Sequence, residues 1–327
     1  MSVSLSIKNM KIADKLKSTD KTLFSFEIVP PLKGNNIEKL YEKLDLLVEF
    51  NPLNINITYH QDEVVYSEDK DGRITKSVVR KHPGTVALAA AIKKRYHDIE
   101  TVPHLICGGM TKQDIENILI DLNFLGIENI LALRGDAPKG SRYFVAEKDG
   151  HAHTDTLVKQ ITDLNKGIYL DTTLKNNDCM NFSVAVAGYP EKHIESPNMD
   201  FDLKYLKQKV DAGAEYIVTQ MFFDNEKFFA WEKRCRENGI LVPIVPAIKP
   251  IGKIRDIQTI PQVFNIDLPT DLVSECLKAK NDKDIYQIGI EWTIKQSKEL
   301  IKHGCPAVHY FSVGRTENVR EVAKAVF

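Results

Sequence analysis

Strand-length apolar runs alternate with helix-length segments of 3.6-residue periodicity eight times along this chain, and that order leaves few folds open. The strand-like runs are 23–28, 53–59, 101–107, 129–133, 181–188, 215–222, 242–248 and 307–311. Helical periodicity fills 35–50, 85–96, 111–124, 154–165, 202–212, 225–238 and 316–326, with three further helices near 252–260, 270–280 and 283–302 and a short leading helix over 5–18. Such alternation demands parallel strands with helical crossovers. Eight of them in 327 residues favour a closed (β/α)8 TIM barrel over an open doubly wound sheet. No strand is followed by G-x-G-x-x-G, and no P-loop occurs.

The expectation is therefore one domain, 1–327, with no linker rich in Gly, Ser or Pro. Two additions break the regular alternation. Between 60 and 84, Lys70-Asp71-Gly72-Arg73 is a hairpin-turn signal joining strands at 64–67 and 74–79, inserted after the second barrel strand. The extra helices before the eighth strand are the other. Thr85 and Thr111 stand where helix caps are expected, the second with Asp114 three residues on.

With 44 basic and 45 acidic side chains the formal net charge is -1, so nothing favours nucleic acid or an anionic membrane, and a small substrate is expected. Five scattered cysteines without a C-x-x-C pair argue against a disulfide framework or a zinc site and fit a reducing cytoplasm. The first 17 residues carry no continuous apolar core and no run approaches ~18 apolar residues, so neither a signal peptide nor a membrane span is expected.

In a barrel of this kind the chemistry sits where the strands run out at their C-terminal ends. Those ends hold Glu27, Thr58-Tyr59, 104–107 with His104, Arg134-Gly135-Asp136, Gly188-Tyr189, Gln220, 246–249 with Lys249, and Arg315. Pro30-Pro31 stops the first strand and leaves Glu27 at its rim. Each residue has a plainer reading. Glu27 is a solvated strand-end carboxylate, His104 a satisfied core histidine, Asp136 a turn acceptor, Arg134 a structural ion pair, Gln220 a packing amide and Lys249 an exposed lysine. His151 and His153 lack a third ligand in register, so no metal site is expected.

Seven motifs in order then carry a resemblance. They are Phe24-Ser25-Phe26-Glu27 before Pro30-Pro31; Ile57-Thr58-Tyr59; Pro103-His104; the 131–136 run ending in Arg134-Gly135-Asp136; the 187–193 run Ala-Gly-Tyr-Pro-Glu-Lys-His; the 207–214 run Lys-Gln-Lys-Val-Asp-Ala-Gly-Ala; and the 219–224 run Thr-Gln-Met-Phe-Phe-Asp. Together they resemble methylenetetrahydrofolate reductase, the FAD-containing barrel family, over about 22–315. At 327 residues, with no room for the regulatory C-terminal domain of the eukaryotic enzymes, the likeness is to the short bacterial-type form.

The resemblance implies reduction of 5,10-methylenetetrahydrofolate to 5-methyltetrahydrofolate in one-carbon metabolism and methionine supply, with FAD as cofactor and NADH or NADPH as co-substrate. By position, Glu27 matches the general acid, Asp136 the carboxylate near flavin and folate, and Gln220 the amide that contacts nicotinamide and pterin in turn. Thr58, Tyr59, His104, Arg134, Gly135, Asp136, Tyr189, His193, Asp202 and Lys209 match positions around FAD, and Arg315 an arginine that contacts substrate along with Glu27 and Gln220. A cytoplasmic homo-oligomer is implied as well. An acid in this role must keep its proton near neutral pH, a state that burial favours.

Three departures stand out. His153-Thr154 replaces a Tyr-Ala pair common in bacterial relatives, Ile260 is the nearest counterpart of the aromatic that packs on nicotinamide, and 61–83 has no assigned role. Outside the resemblance, three other readings remain: a lyase or aldolase with Lys249 as Schiff base, a non-catalytic folate-binding barrel, and proline dehydrogenase, another flavin barrel.

Overall fold

The structure is a computed structural model and describes residues 11–137, 141, 143–175, 177–312 and 315–327. In chain order its strands are β1 (Leu23–Ile28), β2 (Asn54–Ile57), β3 (Glu63–Glu68), β4 (Ile74–Val79), β5 (Glu100–Ile106), β6 (Asn129–Leu133), β7 (Ser183–Gly188), β8 (Tyr216–Met221), β9 (Ile244–Ile248) and β10 (Ala307–Phe311). All but β3 and β4 form a closed parallel barrel, sealed where β1 pairs with both β2 and β10. The helices are α1 (Ile12–Ser18), α2 (Glu38–Val48), α3 (Thr85–Arg95), α4 (Lys112–Phe124), α5 (Thr154–Leu164), α6 (Met199–Asp211), α7 (Asn225–Glu237), α8 (Asp256–Phe264), α9 (Thr270–Lys278), α10 (Asp282–His303) and α11 (Thr316–Val326).

Strand alternation sorts the core into two shells. Phe24, Phe26, Ile55, Ile57, Ile130, Val184, Ile217 and Val308 face outward and pack with the buried stripes of the helices, such as Leu40, Leu44 and Leu47 of α2. Val102, Leu131, Ala185, Val218, Val245, Ala247 and Ala307 face inward and fill the barrel with Ile12, Ala13 and Leu16 of α1. Burying such a side chain stabilises by about 1.5–3 kcal/mol, so α1 is a well-held plug. The Ile12 amide also donates to Asn129 Oδ1 at 3.0 Å. With the N-terminal end stoppered, the barrel opens at the C-terminal ends of its strands. Residues 5–10 of the expected leading helix lie outside the described residues.

The inserted hairpin is present, with Glu63 to Glu68 antiparallel to Ile74 to Val79. Asp69 Oδ1 accepts from the Asp71 and Arg73 amides and Gly72 takes φ +75°, which closes a five-residue loop in place of a two-residue Asp-Gly turn. At its base His60 stacks on His82 at 4.3 Å, and the His82 Nδ1–H donates to the Pro30 carbonyl.

Capping moves some helix ends. Thr111 and Asp114 form the expected capping box, but Thr85 is already helical, with Gly84 before it. Asn198 caps α6 through the Phe201 amide, so that helix starts ahead of Asp202. The helix expected near 252–260 begins at Asp256 instead, because the Asp256 carboxylate accepts from the Gly252 and Lys253 amides and holds that stretch as a loop. It then runs through Pro261 and ends at Asn265 in the left-handed region. Among the described residues no helix is long and apolar enough to cross a membrane.

Candidate active site

On several barrel strands the inward register carries a polar side chain at or near the C-terminal end. On β1 it reads Leu23, Ser25, Glu27; on β5, Val102 then His104; on β8, Tyr216, Val218, Gln220; on β10, Ala307, His309, Phe311. The polar ends surround a cavity of about 1000 Å³. Every residue matched to a flavin or substrate position lines it except Arg315, whose side chain lies against Gly252 in the loop after β9; Lys249, the Schiff-base candidate, is also absent from the lining.

Glu27 is buried at 7% exposure on the cavity floor. Its Oε2 lies 4.0 Å from His309 Nε2, and His309 Nδ1 lies 3.0 Å from the Ser25 hydroxyl. Opposite, the Asn54 amide donates to Asn56 Oδ1 at 2.6 Å, which turns the Asn56 amide nitrogen toward His104 Nε2 at 3.2 Å. His104 Nε2 is thereby an acceptor. Burial pushes the ring down to about 4, so it stays neutral. The Thr58 hydroxyl donates to the Ile28 carbonyl and accepts from His60 Nε2 at 3.2 Å.

Gln220 sits on a bulge. The β8–β9 register shifts between Val218 and Met221, which leaves two amides without ladder partners. The Gln220 side-chain carbonyl takes the Met221 N–H at 2.8 Å, and the Thr219 hydroxyl takes the Ala247 N–H at 2.9 Å. The two substitutions satisfy the backbone and leave the Gln220 amide N–H groups unpaired among the described residues.

The far side of the cavity holds two cations, Arg134 and Lys209, among the carboxylates of Asp136, Asp155, Glu195 and Asp202. Arg134 makes a bidentate pair with Glu195 at 2.5 and 2.7 Å, and its guanidinium stands 4.8 Å from the Phe144 ring. Lys209 donates to the Ala187 carbonyl at 2.5 Å and lies 5.8 Å from the Tyr189 ring. Its stem is half-exposed while the ammonium is withdrawn from water, and that desolvation lowers it to about 8. Buried Asp202 accepts from the Ser196 hydroxyl at 2.6 Å and the His193 amide at 3.3 Å, pinning the loop after β7. His193 Nδ1 accepts the Glu195 amide, and desolvation lowers this ring's pKa, with Arg134 adding to the effect. Burial raises the Tyr59 and Tyr189 hydroxyls, so both are neutral donors. Gly135 has φ +85°, and a Cβ there would come within 3.2 Å of Ile106 Cδ1; the turn and the space over it both require glycine.

Several plainer readings can now be judged. Asp136 is exposed at the cavity rim, and residues 138–140 of the turn that follows it lie outside the described residues. Arg134 is an ion pair as well as part of the lining. Lys249 is half-buried rather than exposed, and desolvation lowers its pKa. Both ring nitrogens of His151 are taken, by Thr156 at 3.0 Å and Gln160 at 2.6 Å, which makes it a structural histidine. Ile260 is buried in a satellite core under the extra helices, whereas Phe264 lines the cavity.

His309, Glu195 and Phe264 escaped sequence reading. His309 had a usable signal: a histidine at an inward position of a five-residue strand. Glu195 and Phe264 had none, since a loop carboxylate and a helix-end aromatic are ordinary in isolation.

Residues 11–326 match the family model described as methylenetetrahydrofolate reductase. The chain is 32% identical over 317 residues to methylenetetrahydrofolate reductase (NADH) 1 of Arabidopsis thaliana, covering 93% of this chain and 48% of that protein. It thus spans about half the length of that plant relative. It is 29% identical over 297 residues to 5,10-methylenetetrahydrofolate reductase of Salmonella typhimurium, covering 90% of this chain and 86% of that one. Among solved structures, a protein from Clostridium thermocellum that binds two copies of 5-methyl-5,6,7,8-tetrahydrofolic acid shares the fold at TM-score 0.57 and 13% identity, over 96% of this chain and 98% of that one.

Proposed function

Because the chain belongs to the methylenetetrahydrofolate reductase family, we propose that it reduces 5,10-methylenetetrahydrofolate to 5-methyltetrahydrofolate, with NADH or NADPH as donor and FAD as bound carrier. The observation that carries the reading is the buried Glu27 carboxyl on the floor of a cavity that also presents the cations Arg134 and Lys209. A folate whose five-membered ring must open needs a proton on the departing nitrogen, and a carboxyl shielded from water can supply it.

The residues present fit a flavin dinucleotide. The cavity is as large as the biggest common ligand pockets. The Gly135 turn keeps one wall free of side chain, and Arg134, Lys209 and the neutral Tyr59 and Tyr189 hydroxyls offer donors suited to a diphosphate and ribityl chain. When bound, FAD supplies a two-electron carrier, so no separate dinucleotide-binding domain is required. Glu27 holds and delivers the proton, Gln220 offers free amide hydrogens to a pterin or nicotinamide carbonyl, and Asp136 favours a cationic folate. Arg315 lies on the same face, outside the cavity lining, where a longer substrate tail can reach it. We also place the protein in the cytoplasm as a homo-oligomer, on family resemblance alone.

The test is an anaerobic spectrum of the purified protein titrated with NADH and then with methylenetetrahydrofolate. Bleaching of a flavin band by the first and its return with the second is the expected result. Absence of FAD, or a flavin that bleaches with proline instead, sinks the reading. Trapping of a carbonyl substrate on Lys249 by borohydride in a flavin-free protein turns it toward a lyase.

A further inference from the structure

We propose that His309 is the positioning residue for Glu27, holding the carboxylate in place after it has given up its proton; this rests on the reading of Glu27 as the acid. Adjacent rungs of one strand pair bring the two together: Ser25 pairs with His309 and Glu27 with Phe311 in the β1–β10 ladder, all on the inward face. His309 is 1% exposed and Ser25 2%. The Ser25 hydroxyl, 3.0 Å from Nδ1, fixes the ring plane. The other nitrogen, Nε2, is buried without a hydrogen-bond partner and lies 4.0 Å from Glu27 Oε2.

A buried ring nitrogen with no partner is uncommon and calls for an explanation. At 4.0 Å the contact is too long for a hydrogen bond but is closed by a small rotation of the carboxyl or by one bridging water. If Ser25 donates to Nδ1, the ring proton sits on Nε2 and faces the carboxylate. During turnover the Glu27 O–H bond breaks, its proton goes to the folate nitrogen, and the remaining carboxylate accepts from His309 Nε2–H. Solvent entering the open cavity returns the proton before the next cycle. Other groups within electrostatic reach of Glu27 are His104 on β5, His60 before the hairpin and Lys249 after β9, and His104 also feels His309.

Two substitutions separate the two nitrogens. His309→Asn keeps a polar atom near Nδ1 for Ser25 and removes Nε2, whereas His309→Gln carries an amide out toward Nε2. In single-turnover work the folate-reducing half-reaction should slow by about 10- to 100-fold in the Asn variant, the scale of a misplaced catalytic group, and recover in part in the Gln variant. Flavin reduction by NADH should be left nearly as it was. An N–H donor favours the charged carboxylate, so removing it should move the alkaline limb of the folate step to higher pH. Equal losses in both half-reactions, or an unmoved limb with Gln no better than Asn, overturn the proposal.

A substrate-free measurement guards against failure of the functional reading itself. The ring 15N signals of His309, assigned by their loss in the Asn variant, should report a proton on Nε2 and shift on Glu27→Gln. If that change leaves them unmoved, the contact does not exist and the proposal falls, whatever the activity.

Discussion

Raising the pH from 7 to 10 should weaken FAD binding through one residue, Lys209. Its ammonium donates to the Ala187 carbonyl, and desolvation lowers it from 10.5 to about 8 in the ligand-free protein. A phosphate brought against it favours the charged form and restores a value near the ordinary one. Below pH 8 free and bound protein both carry the proton, and affinity is flat. Between about 8 and 10.5 the free protein has lost a proton that the complex retains, so affinity falls by up to about tenfold per pH unit. The full window would give about 300-fold, and solvent around the half-exposed stem trims this to roughly 10- to 50-fold. Tyr189 and Cys107, which burial raises, the thiol to about 12, add nothing in this range. Quenching of flavin fluorescence by stripped protein at pH 7, 8, 9 and 10 measures it. Lys209→Met should bind weakly at pH 7 and lose the slope. A flat wild-type profile, or a Met variant that keeps the slope, refutes the argument. Folding without ligand responds with the opposite sign: the folded lysine binds fewer protons than the unfolded one in this window, so stability should rise as pH passes through it.

Glu27→Gln keeps shape but loses the proton, and should slow the folate half-reaction by about 100- to 10,000-fold in stopped flow while flavin reduction by NADH survives. Asp136→Asn should raise the flavin potential and slow folate reduction; because Asp136 is exposed the shift is small, on the order of 20 mV, readable by dye equilibration, and an unchanged potential with an unimpaired folate step removes the electrostatic role. Gly188→Ala would put a Cβ 2.8 Å from both Ile217 Cγ2 and Trp231 Cη2 in a packed interior, and should cost about 1–3 kcal/mol in urea unfolding.

Strand and helix periods, turn residues and strand-end motifs are local properties, and they were enough to reveal the barrel, its inserted hairpin and a set of strand-end residues that line the cavity. The alternation of Phe24 and Phe26 with Ser25 and Glu27 already separates a helix-packed face from an interior one. What the local pattern could not reveal is which distant side chains complete a site. His309 meets Glu27 only because the closed sheet puts the last strand beside the first, 282 residues away in sequence. Glu195 reaches Arg134 across two strand-end loops, and Gln220 is freed by a bulge that exists only between paired strands. Helix starts near Asp256 and Asn198 moved for a related reason, since a side chain that caps or bars a turn is chosen by geometry as well as by composition. Periodicity is written residue by residue, whereas strand closure, register and pairing are settled by the whole chain packing at once.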